Sequence, residues 1–124
     1  MAPLELMQAM DTQLSHVWLV RTFLKHSPEA EEDEELRDIV RVLYDYSLAV
    51  GPAWGAQDAA AYLKMASKKF SKLRAASQTF VEIQPEISSH TNFQMAARSL
   101  TAAVTQMEQL LAQARANSAE TTAG

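Results

Sequence analysis

The side chains best suited to metal chemistry in this chain are two histidines and two glutamates near predicted helix ends. We expect His26 and His90 at the same end of the molecule, beside Glu82 and Glu86. Imidazole and carboxylate groups suit zinc or iron. None of the histidines, however, follows a glutamate by three residues, as in the Glu-x-x-His pattern of di-iron bundles. The pattern favours ordinary helix-end histidines, so we predict no cofactor and keep these four residues only as metal candidates.

Residues for catalysis are missing from the sequence. There is no cysteine, which excludes disulfides, thiolate metal sites and cysteine nucleophiles. Glycine-rich phosphate loops, a nucleophile elbow and a His-Glu-x-x-His helix are also absent. Tyr44, Asp45 and Tyr46 are consecutive, but neighbouring residues on a helix point about 100° apart and do not converge. The sequence therefore predicts that the protein is not an enzyme.

Arg21 is a charged residue near the middle of an otherwise apolar helix face. Burying a charge is costly unless the charge is paired. If neighbouring helices run antiparallel, Arg21 lies level with Asp33 and with residues 78–82. We predict a buried ion pair with one of these. The alternatives are that the side chain extends to solvent, or that it binds an anionic ligand inside the helical domain.

Other charged side chains cluster into two groups. The formal net charge of -4 and the pI near 5.3 argue against general nucleic-acid binding. Acidic residues favour the start of a helix, and the basic group lacks interleaved exposed aromatic residues that would stack bases. We expect both groups to be solvated, and a solvated basic ridge could steer the acidic run of a neighbouring molecule. The alternatives are a docking or cation site for the acids and a nucleic-acid or anionic-membrane surface for the bases. The groups are an acidic run, Glu29, Glu31, Glu32, Asp33, Glu34 and Glu35, and a basic ridge, Lys64, Lys68, Lys69, Lys72 and Arg74.

Apolar residues on the first predicted helix exceed what a core requires. Leu19 and Phe23 lie one turn apart, roughly opposite the core stripe, which predicts contact with a second copy or with a helical partner. The alternative is that more of the same chain covers this side of the helix. Trp54 lies between Gly51 and Gly55, where an aromatic side chain either closes the end of the core or anchors a partner. Leu19, Phe23 and Trp54 are therefore the predicted interface residues.

These side chains must be positioned by helices. Glycine (3) and proline (4) are scarce, and apolar residues recur at helical spacing in four segments. Ser27 and Pro28, Asp58, and Thr91 with Gln94 are helix-start signals. Gly51 with Pro52 and Gln84 with Pro85 are stop signals. The predicted helices cover about residues 4–25, 28–50, 58–84 and 92–116.

Short connections between four long helices force neighbours to run antiparallel. We therefore predict an all-α protein, an antiparallel up-down-up-down four-helix bundle. The 124 residues fit a single domain. We assign residues 1–116 to that domain and residues 117–124 to a disordered polar tail, because the tail has nothing to bury.

The sequence has neither the basic start and apolar run of a signal peptide nor an apolar stretch of the ~20 residues that a membrane span requires. We therefore expect a cytoplasmic protein that does not bind membranes. The predicted function is a protein–protein interaction or scaffolding module that self-associates as a homodimer or binds a helical protein. The alternative is a small-ligand or metal-binding bundle that uses the end with His26, His90 and the glutamates, or the interior near Arg21.

Overall fold

The structure, a computed structural model, describes residues 1–123, with side chains through residue 119. The predicted all-helical class is confirmed, and no strand occurs in the described range. The helices are α1 (Pro3–Lys25), α2 (Pro28–Glu32), α3 (Glu34–Gly55), α4 (Ala59–Ile87) and α5 (Thr91–Ala123).

The four long helices share one apolar core. α1 packs against α3 and α5, and α4 also packs against α3 and α5. Buried side chains recur every three or four residues along each of these helices, as in amphipathic helices that face a common interior. Most of the positions that helical spacing predicts for the core are therefore confirmed, whereas Val40, Ala59, Leu63 and Ala114, which were also expected there, are half-buried. The largest fully buried side chains are Leu6, Met7, Met10, Leu24, Leu36, Leu43, Tyr62, Leu73, Phe80, Leu100, Met107 and Leu111.

The second predicted helix is divided at Asp33. Asp33 has extended backbone geometry (φ -122°, ψ 112°), and its carboxylate accepts a hydrogen bond from Leu36 N at 2.9 Å. Ser27 Oγ accepts from Ala30 N at 3.3 Å and begins α2, as predicted. The prediction of one continuous helix over residues 28–50 is therefore wrong. An acidic residue within the run interrupts the helix because its side chain caps the next one.

Both prolines that were predicted to end helices lie inside them. α3 continues to Gly55 beyond Pro52, and α4 continues to Ile87 beyond Pro85. A proline at position i removes the internal hydrogen bond to the carbonyl at i−4. Those carbonyls belong to Leu48 and Val81, which are exposed, so water can replace the missing donors. The predicted helix ends at residues 50 and 84 are therefore too early.

The turn between α3 and α4 is correspondingly short. Gln57 takes the left-handed conformation (φ 53°) that glycine usually supplies after a helix. Gln57 N donates to Trp54 O, and Asp58 N donates to Ala53 O, both at 2.9 Å. Asp58 then caps α4, as predicted, by accepting from Ala61 N at 3.0 Å. The chain therefore reverses over three residues and not over the predicted loop of seven.

The start and the end of α5 both differ from the prediction. His90, and not Thr91, precedes the first turn, and His90 Nδ1 accepts from Asn92 N at 3.0 Å. The helix extends to Ala123, so the predicted end near residue 116 is too early. The side chains from residue 120 onward and all of Gly124 lie outside the described residues. The separate tail over 117–124 stays a prediction.

Candidate functional site

Arg21 lies against two adjacent aromatic rings on the side that α1 and α3 share. Its Cζ atom is 4.6 Å from the ring centroid of Trp18 and 4.7 Å from that of Tyr44. The two ring centroids are 6.0 Å apart. A guanidinium group this close to an aromatic face gains about 0.5–1 kcal/mol per contact at an exposed site. The side chain thus bridges α1 and α3.

The predicted buried ion pair of Arg21 is not formed within the described residues. Asp33 uses its carboxylate to cap α3, and Arg21 points toward α3 instead of toward residues 78–82 of α4. The Nε atom of Arg21 is buried and has no hydrogen-bond partner. A buried donor without an acceptor costs about 1–3 kcal/mol. The site therefore contains an unsatisfied donor that is shielded from water.

Basic side chains surround a groove beside this arginine, between α1, α2 and α3. The groove has a volume of about 480 Å³, which is within the usual range for small-molecule sites. Four cationic side chains and one carboxylate line it, together with apolar atoms of alanine, valine and tyrosine. We call it the cationic groove, and its lining is Arg21, Lys25, Ala30, Glu31, Arg37, Val40, Arg41 and Tyr44.

Arg37 is held in place at this groove by backbone oxygens. Its Nη1 atom donates to Ala30 O at 3.1 Å and to Glu31 O at 2.8 Å. These carbonyls belong to α2, which is too short to satisfy them internally. The guanidinium therefore holds α2 against α3 and is itself oriented by the contact. Arg41 forms an exposed ion pair with Asp38 at 3.6 Å, which contributes little to stability.

An exposed apolar surface adjoins the cationic groove. It is built on Trp18 and Tyr44, whose ring centroids are 6.0 Å apart, with the exposed Leu19 next to Trp18 in the sequence and Leu48 one turn beyond Tyr44 on α3; we call these four residues the apolar patch. Leu19 is 64% exposed and Leu48 is 53% exposed, so both protrude from the surface. The prediction that Leu19 is exposed outside the core is confirmed. Its use as an interface stays a prediction.

The other predicted interface residues, Phe23 and Trp54, are half-buried and pack against the core. Phe23 is half-buried and meets Phe93 of α5 edge to face, with ring centroids 5.1 Å apart. Phe23 therefore packs against α5 instead of protruding as Leu19 does. Trp54 is half-buried, and its ring centroid lies 6.2 Å from that of Tyr62, which agrees with closing the end of the core. The use of either residue as an interface stays a prediction.

The histidine candidates are only partly brought together. His26 and His90 line the same groove of about 680 Å³, along with Glu29. Glu82 and Glu86 do not line it and are exposed on α4. Among residues 1–119, no three histidines or acidic side chains are placed to hold a metal ion. The His90 Nδ1 atom already accepts the Asn92 amide, which leaves only Nε2 for a ligand.

The basic ridge lies away from the surface that carries the cationic groove and the apolar patch, which we call the α1–α3 face. Lys64 and Lys68 border a groove of about 810 Å³ between α1, α4 and α5. Arg74 is paired with Glu108 of α5, so part of the ridge holds two helices together.

Tyr44, Asp45 and Tyr46 diverge, as predicted. Tyr44 and Asp45 are exposed, whereas Tyr46 is buried and its hydroxyl donates to Ala66 O at 2.9 Å. Burial raises the pKa of Tyr46 above its usual value. This hydroxyl therefore acts as a structural donor across α3 and α4.

A second buried tyrosine bonds to an acid of α1. The Tyr62 hydroxyl donates to Asp11 Oδ1 at 3.1 Å. Burial, followed by the charge and hydrogen bond of Asp11, raises the pKa of Tyr62. Desolvation also raises the pKa of Asp11, and the hydrogen bond from Tyr62 partly offsets that shift.

The α1–α3 face could have been found from residue spacing. Trp18, Arg21 and Lys25 recur at intervals of three and four on α1. Arg37, Arg41, Tyr44 and Leu48 do the same on α3, so each set forms one stripe along its helix. The two stripes have the same composition, aromatic at one end and basic at the other. That match is the signal that the search for single motifs missed.

Comparison with known proteins gives no relative for this chain: no protein family, curated protein or solved structure matches it. Within the described residues, none of the helices combines the length and the hydropathy needed to cross a membrane.

Proposed function

We propose that this protein is a protein–protein interaction module that self-associates through the apolar patch. The observation that carries the proposal is the cluster of the exposed rings of Trp18 and Tyr44 with the half-buried Arg21. Tryptophan, tyrosine and arginine are the residues that most often dominate binding energy at interfaces. Leu19 and Leu48 extend the cluster on both helices and add protruding apolar side chains.

A second copy of the chain is the partner that the surroundings of the patch favour. A two-fold contact places the same surface on both subunits, so the surface must be complementary to itself. Arg41 and Asp38 are both highly exposed and border the patch with opposite charges. A two-fold axis that passes close to this pair would bring the acid of one copy near the base of the other.

We also infer that the scaffold of this surface is an antiparallel up-down-up-down four-helix bundle, with α2 as a short addition at the start of α3. Asn117 Nδ2 donates to Met1 O at 2.9 Å, and Phe23 contacts Phe93. These contacts support opposite directions for α1 and α5. The short connections support the same relation between the other neighbours.

Size-exclusion chromatography with light scattering tests self-association. We expect a concentration-dependent dimer for the wild type and a shift toward monomer for Leu48→Ala and for Leu19→Ala. Met95→Ala is the matched control, because Met95 on α5 is 54% exposed, close to the 53% of Leu48, and lies outside the patch. This control should dimerise like the wild type.

A wild-type protein that stays monomeric at millimolar concentration would refute the self-association proposal. A dimer that Met95→Ala weakens as much as Leu48→Ala would place the contact elsewhere. Binding to a different helical protein is the remaining form of the proposal, and it predicts the same ranking of the three variants in a pull-down with that protein.

A further inference from the structure

We propose that the cationic groove binds a small organic anion through its carboxylate or phosphate group. This inference goes beyond self-association and concerns the basic end of the α1–α3 face. It depends on the groove alone and would hold equally for a monomer.

The charge balance of the groove favours an anion. Arg21, Lys25, Arg37 and Arg41 line it, whereas Glu31 is its only acidic lining residue. Four cations meet here although the whole chain carries a net charge of -4. Asp38 offsets Arg41 through an exposed ion pair, which still leaves three cations opposite one carboxylate. A concave surface with this excess raises the local concentration of anions.

The arginines are also arranged as donors. Arg21 has a buried Nε without an acceptor, and its guanidinium is held in position by the rings of Trp18 and Tyr44. Arg37 is fixed through Nη1 to two carbonyls, which leaves Nη2 without a partner among the described contacts. Preorganised guanidinium groups match the planar, two-oxygen edge of a carboxylate or phosphate. Binding here therefore needs little reordering of side chains.

The remaining lining indicates the rest of the ligand. Ala30, Val40 and Tyr44 contribute apolar atoms beside the charged groups. An inorganic ion alone would fill only part of about 480 Å³ and would leave these atoms in water. The groove thus fits an oxyanion attached to an apolar body about the size of an aromatic ring.

Titrations with matched probes test the site. Benzoate and phenyl phosphate carry the two candidate groups on the same ring, benzyl alcohol lacks the charge, and inorganic phosphate lacks the ring. We expect saturable shifts of backbone amide signals near residues 30–44 with benzoate, phenyl phosphate or both. Inorganic phosphate should bind more weakly, and benzyl alcohol should give no saturable shift. The stronger of the two aromatic anions identifies the group that the site prefers.

Variants separate a built site from general attraction to positive charge. Arg41→Gln should weaken binding by on the order of tenfold, because one charge-assisted contact is lost. Arg21→Lys should also weaken it, since lysine keeps the charge but not the planar donor pair. Arg98→Gln is the matched control, because Arg98 is an exposed arginine on α5 that does not line the groove. It should bind the probes like the wild type.

The same titration in Leu48→Ala separates this inference from self-association, because that variant is expected to be monomeric and to retain the groove. Absence of saturable binding by both aromatic anions up to on the order of 10 mM would overturn the proposal. It would also be overturned if Arg98→Gln weakened binding as much as Arg41→Gln, or if neither groove variant weakened it.

Discussion

Helix α1 makes an aromatic contact with each of two neighbouring helices, and only one of these contacts includes a charged group. Toward α5, Phe23 and Phe93 meet directly, with ring centroids 5.1 Å apart. Toward α3, Trp18 and Tyr44 are 6.0 Å apart, and the guanidinium group of Arg21 contacts both rings. Phe93 is buried, whereas Trp18 and Tyr44 remain exposed.

The difference follows from charge. Two apolar rings gain by excluding water, so the contact between α1 and α5 closes and becomes part of the core. A guanidinium group needs water or acceptors, so the contact between α1 and α3 stays accessible on its outer side. We infer that one side of α1 serves stability and the other serves recognition.

The largest effect should follow from a substitution on the closed side. Phe93→Ala removes a buried ring and leaves a cavity against Phe23, so we expect a loss of about 3 kcal/mol in the free energy of unfolding. Urea denaturation monitored by circular dichroism measures this. A loss below about 1 kcal/mol would mean that the two sides of α1 do not differ as described.

A substitution on the open side should cost less. Trp18→Ala removes a ring that is 40% exposed and one of the two contacts of Arg21. We expect the unfolding free energy to fall by about 1 kcal/mol, since less area leaves water and the cation–π contact is modest. Urea denaturation of this variant beside Phe93→Ala tests which substitution costs more unfolding free energy. Equal losses would contradict the predicted order.

Arg21→Met tests whether the charge itself stabilises the fold. Methionine keeps the stem and can contact both rings, while the unsatisfied Nε is removed. The lost cation–π contacts and the relieved donor nearly cancel, so we expect a change within about 1 kcal/mol. A loss of 3 kcal/mol or more in urea denaturation, the amount expected when one partner of a buried ion pair is removed, would restore the ion pair predicted from the sequence.

The smallest effect concerns Asp11, the other partly buried charge on α1. Its pKa is raised in the folded state, so the ionised form disfavours folding, and this penalty is lost as the pH falls through the folded pKa. We therefore expect Asp11→Asn to be more stable than the wild type at pH 7. That difference should shrink as the pH falls from 7 toward the usual pKa range of an aspartate carboxyl. Thermal melts of both proteins across this range measure the stability difference. A difference that grows on acidification would contradict the prediction.

The repeating pattern of apolar residues was enough to predict the all-helical class and most of the core. Leu6, Leu43 and Phe80 are fully buried, as their spacing along amphipathic helices predicts. This spacing can be recognised from the sequence alone. Asp58 and Ser27 were likewise recognisable as caps, because capping is local.

What escaped prediction depends on the surroundings. Pro52 and Pro85 lack the amide that would bond to the carbonyl at i−4, yet both helices continue past them, and the residues that carry those carbonyls, Leu48 and Val81, are exposed, which is a tertiary property. Phe23 and Leu19 are both off the core stripe of α1, yet α5 covers only Phe23. Arg21 was recognised as unusual, but its aromatic partner Tyr44 lies on another helix.

The attachment of α2 has a consequence for local motion. This five-residue helix forms one wall of the cationic groove, and Arg37 donates hydrogen bonds to the carbonyls of Ala30 and Glu31. A segment with one buried side chain, Ala30, opens at a lower free energy than the core helices. We therefore expect the groove to widen while α1, α3, α4 and α5 stay packed. In amide hydrogen exchange, residues 29–33 should then form a separate unit that is protected less than its neighbours, and an anion in the groove should slow its exchange.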